Sequence, residues 1–137
     1  TLVYTLSLHD ALPISEQAAA TLREEGLNPT VVDARFLRPL DEELILQMAS
    51  RHELVCTIEE GTEIGGFGSA VLELFHKRMV HVPTTRVFGL PDRFLDHGTP
   101  DEVLEDAGLS APQIAARVLD IWKNRERTID LHGRRLA

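Results

Sequence analysis

The stretch that most limits what this chain can fold into runs from Leu54 to Gly68, LVCTIEEGTEIGGFG. An apolar run, Leu54 to Ile58, stops at two carboxylates, Glu59 and Glu60, and a glycine-rich turn follows at Gly61, Gly65 and Gly66. Phe67, Ala70, Val71, Leu74 and Phe75 then recur at i, i+3, i+4, i+7 and i+8. A period of two giving way to a period of 3.6 marks strand, loop and helix, the centre of an α/β unit. In open α/β sheets, ligands and partners are met at such carboxyl-end loops.

The flanking segments repeat this grammar. Ser15 is suited to cap a helix through Ala18, Ala19, Ala20 and Leu22 that Gly26 stops. Thr30 to Ala34 is a short β-branched strand. Pro39 breaks structure, and Asp41 caps a second helix, or sits in its first turn with Glu42 and Glu43, with Leu44, Ile45, Met48 and Ala49 as its buried stripe. Pro83 precedes a strand at 84–89, and Gly89-Leu90-Pro91-Asp92 turns out of the sheet. Thr99-Pro100 opens a short helix with Asp101 and Glu102 in its first turn, and Gly108 ends it. Ser110 starts a last helix with Ile114, Val118, Ile121 and Trp122 on its inner face. Helices alternating with short apolar strands imply an α/β fold: a three-layer, doubly wound, mostly parallel sheet.

Residues 1–14 stand apart. His9-Asp10-Ala11-Leu12-Pro13-Ile14 looks like the translation of a sequencing-adapter oligonucleotide, so His9 and Asp10 receive no catalytic role despite their adjacency. The segment has neither the charged start nor the cleavage site of a signal peptide. The expected division is a non-native segment at 1–14, an α/β domain at 15–123 and a polar basic tail at 124–137. Three strands remain for the native part, fewer than such a domain normally has. A first strand that is missing, or replaced by residues 1–14 with Leu2 to Leu6 docking in its place, accounts for the shortfall.

Charge and cysteine usage exclude several function classes. A formal net charge of -8 opposes nucleic-acid binding, which needs a basic face. The C-terminal cations Lys123, Arg125, Arg127, Arg134 and Arg135, interrupted by Glu126 and Asp130, read as a solvated tail, with an anion site as the alternative. The single cysteine, Cys56, allows no disulfide framework and fits a reducing cytoplasm. No apolar run approaches the roughly 20 residues that span a membrane.

No complete active site emerges from the residues alone. Glu59 and Glu60 could work as an acid/base pair, but adjacent strand residues point to opposite faces, and a carboxylate bonded to the following helix N-terminus is the plainer expectation. Gly65-Gly66-Phe67-Gly68 invites a phosphate cradle, yet matches neither the dinucleotide nor the P-loop pattern, so a tight turn with Phe67 packed under it is expected. Arg35 and Arg38 could clamp a phosphate, or pair with Asp33, Asp41 or Glu59. Asp92, Arg93, Asp96 and His97 read as an ion-paired turn, since a metal would need more ligands at fixed spacing. His52, His76 and His81 carry no pattern, and Ser69 lacks the nucleophile elbow.

Two blocks carry a resemblance. Val32-Asp33-Ala34-Arg35-Phe36-Leu37-Arg38-Pro39-Leu40-Asp41, followed by Glu59-Glu60 and Gly65-Gly66-Phe67-Gly68, resembles the C-terminal domain of the transketolase superfamily. Gly89-Leu90-Pro91-Asp92-Arg93-Phe94-Leu95-Asp96-His97-Gly98-Thr99, with Leu104 and Ala107-Gly108-Leu109-Ser110, is similar to the 1-deoxy-D-xylulose-5-phosphate synthase family within it. The resemblance covers roughly residues 15–123. It implies a transferase that condenses pyruvate with glyceraldehyde 3-phosphate and releases CO₂, for isoprenoid, thiamin and pyridoxal biosynthesis. It implies thiamin diphosphate and Mg²⁺ held by preceding domains, so no catalytic, cofactor-binding or metal-ligating residue is assigned here. The implied partners are those N-terminal domains and a second copy in a homodimer. This chain is expected to serve dimerisation and domain packing, and to be inactive, marginally stable and prone to associate by itself. The alternatives are the C-terminal domain of a split transketolase-like or 2-oxoacid dehydrogenase E1 β subunit, and a freestanding non-catalytic interaction module.

Overall fold

The computed structural model of the chain describes residues 2–7, 11–34, 40–62, 65–90 and 99–125. Four parallel strands, β1 (Leu2–Ser7), β2 (Asn28–Asp33), β3 (Leu54–Thr62) and β4 (Thr84–Leu90), form one sheet in the order β2-β1-β3-β4. Helices α1 (Leu12–Glu24), α2 (Glu42–Ala49), α3 (Phe67–Arg78), α4 (Pro100–Asp106) and α5 (Ala111–Asn124) connect and follow them. The chain winds outward from β1 to β2, crosses back to β3, then continues to β4, so the winding reverses between β1 and β3. That reversal is the switch point at which open α/β sheets form a crevice.

The slot expected to be missing or replaced is filled. Leu2 to Ser7 runs through the middle of the sheet, with Ser7 in register with Asp33 on one side and Ile58 on the other. Without β1, the ladders of β2 and β3 lose their shared partner.

Strand alternation divides the interior into two cores. Leu54, Cys56 and Ile58 of β3 and Phe88 of β4 pack against Ala18 and Leu22 of α1 and Ile114, Ala115, Val118 and Trp122 of α5. Val55 on the opposite face packs against Ile45 and Ala49 of α2 and Phe67, Val71, Leu74 and Phe75 of α3. Helices therefore cover both faces, giving the three layers expected. Burying each of these larger side chains contributes about 1.5–3 kcal/mol.

Several boundaries differ from the expectation, for local reasons. Helix α1 starts at Leu12, with Pro13 in its first turn, where a missing N–H costs nothing. Ser15 is buried inside the helix, and its hydroxyl donates to the Ala11 carbonyl at 3.0 Å instead of capping. Strand β2 begins at Asn28, two residues earlier than the β-branched run suggests. Leu44 is exposed, leaving Ile45 and Ala49 as the buried members of the α2 stripe.

Other stop and start signals, at Gly26, Asp41 and Thr99, fall where expected. Gly26 takes φ +86°, and the N–H groups of Gly26 and Leu27 bond back to the carbonyls of Arg23 and Leu22 at 3.1 and 3.0 Å. This is the paired closure that a left-handed glycine allows. Asp41 accepts the Leu44 N–H at 3.2 Å, and Thr99 forms a reciprocal capping box with Glu102.

Deleting residues 1–7 removes the central strand, and urea unfolding of the shortened chain is expected to lose its cooperative transition; a sharp transition of unchanged slope would show β1 to be dispensable. Cys56, fully buried, has its thiol pushed up from an ordinary 9.0 to about 12 by burial, with Arg86 and Arg117 drawing it down only partly. The unfolded thiol ionises from about pH 9 while the folded one keeps its proton, so this group's contribution to stability is intact below that pH and lost between 9 and 12. A thiol reagent at pH 8 is expected to label Cys56 only after denaturant is added.

Candidate functional site

The carboxyl end of β3 lies beside the switch point, and the two glutamates there are treated differently. Strand alternation places Thr57 and Glu59 on the α3 side, with Val55. Glu59 is 1% exposed, and its Oε2 accepts the Gly68 N–H at 3.0 Å. Gly68 lies in the first turn of α3, where backbone N–H groups lack intrahelical partners and the helix dipole favours negative charge. A buried carboxylate is costly unless hydrogen-bonded, and the helix start supplies the bond. The Glu60 side chain and Gly61 side of the loop lie outside what the structure describes, as do residues 63 and 64.

The glycines make this contact possible. Gly65 takes φ +72°, a conformation disfavoured for residues with a Cβ. Gly66 is the N-cap of α3, and the Gly65 N–H donates to the Ser69 hydroxyl at 3.1 Å. A Cβ on Gly68 would lie 2.5 Å from Val87 Cγ1 and 2.7 Å from Thr57 Oγ1. Only a residue without a side chain lets α3 approach β3 and β4 this closely. Phe67, 1% exposed, packs below the turn as expected. Thr57 Oγ1 is itself buried without a hydrogen-bond partner, held under the glycine.

This arrangement does not suit the diphosphate of a cofactor. The Gly68 amide that would meet a phosphate oxygen is already given to the Glu59 carboxylate, and a second anion there would face that charge in a desolvated place. Among the described residues, no three His, Cys, Asp or Glu side chains come together to hold a metal ion. A diphosphate therefore does not fit the Gly68 amide, and no chemical step is derived through a cofactor here.

The remaining features scatter. His52 is half-buried, its Nδ1 2.7 Å from the Met48 carbonyl and its Nε2 3.3 Å from Thr30 Oγ1, so it ties the end of α2 to β2. The sequence pattern did not disclose that role, since the tie spans 22 residues. His76 and His81 are exposed. Arg35, Arg38, Asp92, Arg93, Asp96, His97 and the tail from 126 onward lie outside the described residues, as do His9 and Asp10. Among the described residues, no helix is long and apolar enough to cross a membrane.

Fold and loop together define a doubly wound parallel α/β domain whose carboxyl-edge loop is built as a structural clamp. The chain belongs to the transketolase C-terminal domain family, matching "Transketolase, C-terminal domain" over residues 6–114. It is 55% identical over 111 residues to the 1-deoxy-D-xylulose-5-phosphate synthase of Rippkaea orientalis, a match covering 80% of this chain and 17% of that protein. It is 43% identical over 116 residues to that of Brevibacillus brevis, covering 85% of this chain and 18% of the relative. The chain is thus homologous to the C-terminal part of these synthases and spans less than a fifth of their length. A solved structure described as split gene transketolase, inactive beta4 tetramer, is similar with a TM-score of 0.77 and 34% identity, over 86% of this chain and 38% of that one. Transketolase from Campylobacter jejuni shares the fold at a TM-score of 0.56 and 17% identity, over 86% of this chain and 16% of that one.

Two substitutions test the clamp with opposite signs. Gly68→Ala is expected to destabilise by about 1–3 kcal/mol, typical of overpacking, because the Val87 and Thr57 side chains must yield. Thr57→Val removes a buried unpaired hydroxyl at nearly constant volume and is expected to leave stability equal or higher. Urea midpoints measure both; a neutral Gly68→Ala would remove the close-approach explanation of the glycine.

Proposed function

We propose that this chain acts as the C-terminal domain of a 1-deoxy-D-xylulose-5-phosphate synthase, the enzyme class that joins pyruvate to glyceraldehyde 3-phosphate with loss of CO₂. The observation that carries the proposal is the 55% identity over 111 residues to such a synthase. In this role the chain contributes domain packing and dimerisation, in the cytoplasm, while thiamin diphosphate, Mg²⁺ and all catalytic groups belong to the preceding domains. The committed Glu59–Gly68 pair supports this division, because it ties the loop to structure instead of chemistry. Residues 15–123 are the domain proper, and residues 1–14 stand in for the family's first strand with foreign sequence, as the adapter-like run at 9–14 suggests.

Alone, the chain is inactive and self-associating. Two observations support that. The similar split gene transketolase chain is described as an inactive tetramer, and the outer surface here leaves Leu44, Leu72, Val80 and Val82 exposed, Val80 by 92%. Exposed apolar side chains of this kind suit a packing surface. The same relative favours a second reading, in which the chain is the C-terminal domain of a split subunit that works with a separate partner chain.

Purified chain supplied with pyruvate, glyceraldehyde 3-phosphate, thiamin diphosphate and Mg²⁺ is expected to show no synthase turnover. Adding a polypeptide that carries the preceding domains of a related synthase is expected to restore it. Turnover by the chain alone contradicts the proposal. Restoration by a transketolase partner chain, and not by the synthase domains, selects the split-subunit reading.

A further inference from the structure

The protein carries a net charge of -8, yet three arginines converge on one face at the β4 edge of the sheet. Arg86 on β4 and Arg117 and Arg125 on and just beyond α5 line two depressions of about 390 Å³ each, which share Arg86, Asp120 and Ile121 as walls. Among the described residues, none of the three guanidinium groups is paired to a carboxylate. Each is held by a neutral group instead. Arg117 lies 4.6 Å above the Phe88 ring, and Arg125 lies 3.6 Å above the Trp122 ring while donating to the Trp122 carbonyl at 2.7 Å. Arg86 donates to the Thr85 carbonyl at 2.9 Å. Stacking and carbonyl bonds fix a guanidinium in place without neutralising it.

We propose that this groove between β4 and α5 binds a phosphate-bearing small anion. A planar guanidinium presents paired N–H donors that match phosphate oxygens, and the two in each depression suit a multiply charged group better than a single carboxylate. Asp120 is the opposing charge in the groove, and its Oδ1 is occupied by the Asn124 amide at 3.0 Å. Among the described residues, each depression sets two arginines, Arg86 with Arg125 or Arg86 with Arg117, against that one carboxylate, which leaves it positive. Thr84 and Asn124 add neutral polar walls. Because the surrounding protein is acidic, an anion is repelled elsewhere and focused here. The groove lies against Thr84 at the amino end of β4, opposite the carboxyl-edge loop, so this proposal is independent of the synthase reading.

Trp122, the single tryptophan, sits beneath Arg125 and reports on the groove. Titrating the chain with inorganic pyrophosphate at ionic strength held constant with sodium chloride is expected to give a saturable change in its fluorescence. Arg86→Gln, an exposed position on both depressions, is expected to raise the apparent Kd about tenfold or more, the loss typical of a charge-assisted bond. Arg125→Gln repeats the test from the other wall, and Arg78→Gln, whose arginine pairs with Glu42 at 3.4 Å elsewhere, is expected to change nothing. A response that does not saturate, that chloride reproduces, or that persists undiminished in Arg86→Gln and Arg125→Gln overturns the proposal.

Discussion

The structure depends on how closely α3 is drawn onto the sheet. One hydrogen bond and one absent side chain set that distance. Glu59, at the end of β3, accepts the Gly68 N–H, and the missing Cβ at Gly68 leaves room for Thr57 and Val87. The bond gives Oε2 of a buried carboxylate and an otherwise unpartnered helix amide a partner in each other. Once the first turn of α3 is anchored, Phe67, Val71, Leu74 and Phe75 follow onto the α2 side of the sheet at helical spacing. The glycine loop, the acidic strand end and the apolar stripe of α3 are consequently one device. It also explains why an acidic, glycine-rich carboxyl-edge loop at a switch point, a place where such folds often bind ligands, is here occupied by the protein's own contacts.

The sheet shows a second dependence. Its central strand is held by backbone pairing on both sides. Backbone pairing makes few demands on side-chain identity, so Leu2 to Ser7 holds register with β2 and β3 on both sides. The winding order around that strand places α1 and α5 on one face and α2 and α3 on the other, and the apolar alternation of β3 feeds both cores.

Much of this was legible in the residues. The switch of period at Leu54–Phe75 located β3, the loop and α3, and Gly26, Asp41, Thr99 and Gly108 marked helix ends because each acts through local backbone chemistry. Ser15 misled for the same local reason: a good capping residue became an interior one when the helix extended back through Pro13 to Leu12. Leu44 was placed in the buried stripe, although what covers one side of a short helix is decided by its neighbours. The close approach at Gly68, the tether from His52 to Thr30 and the gathering of Arg86, Arg117 and Arg125 were not legible. Each joins residues distant in sequence, and periodicity carries no information about such pairs. The plainer expectation for Glu59, bonding to the next helix, held because its partner lies only nine residues on.

The Glu59–Gly68 contact is a buried clamp of α3 on the sheet, and the Gly68 amide is not an open anion-binding group. Amide hydrogen exchange at Gly68, followed residue by residue on the folded chain, tests it most directly. The account predicts that the Gly68 amide exchanges as slowly as the amides of β3, through the same unfolding event. Exchange at the rate of an exposed loop, with β3 still protected, would contradict it.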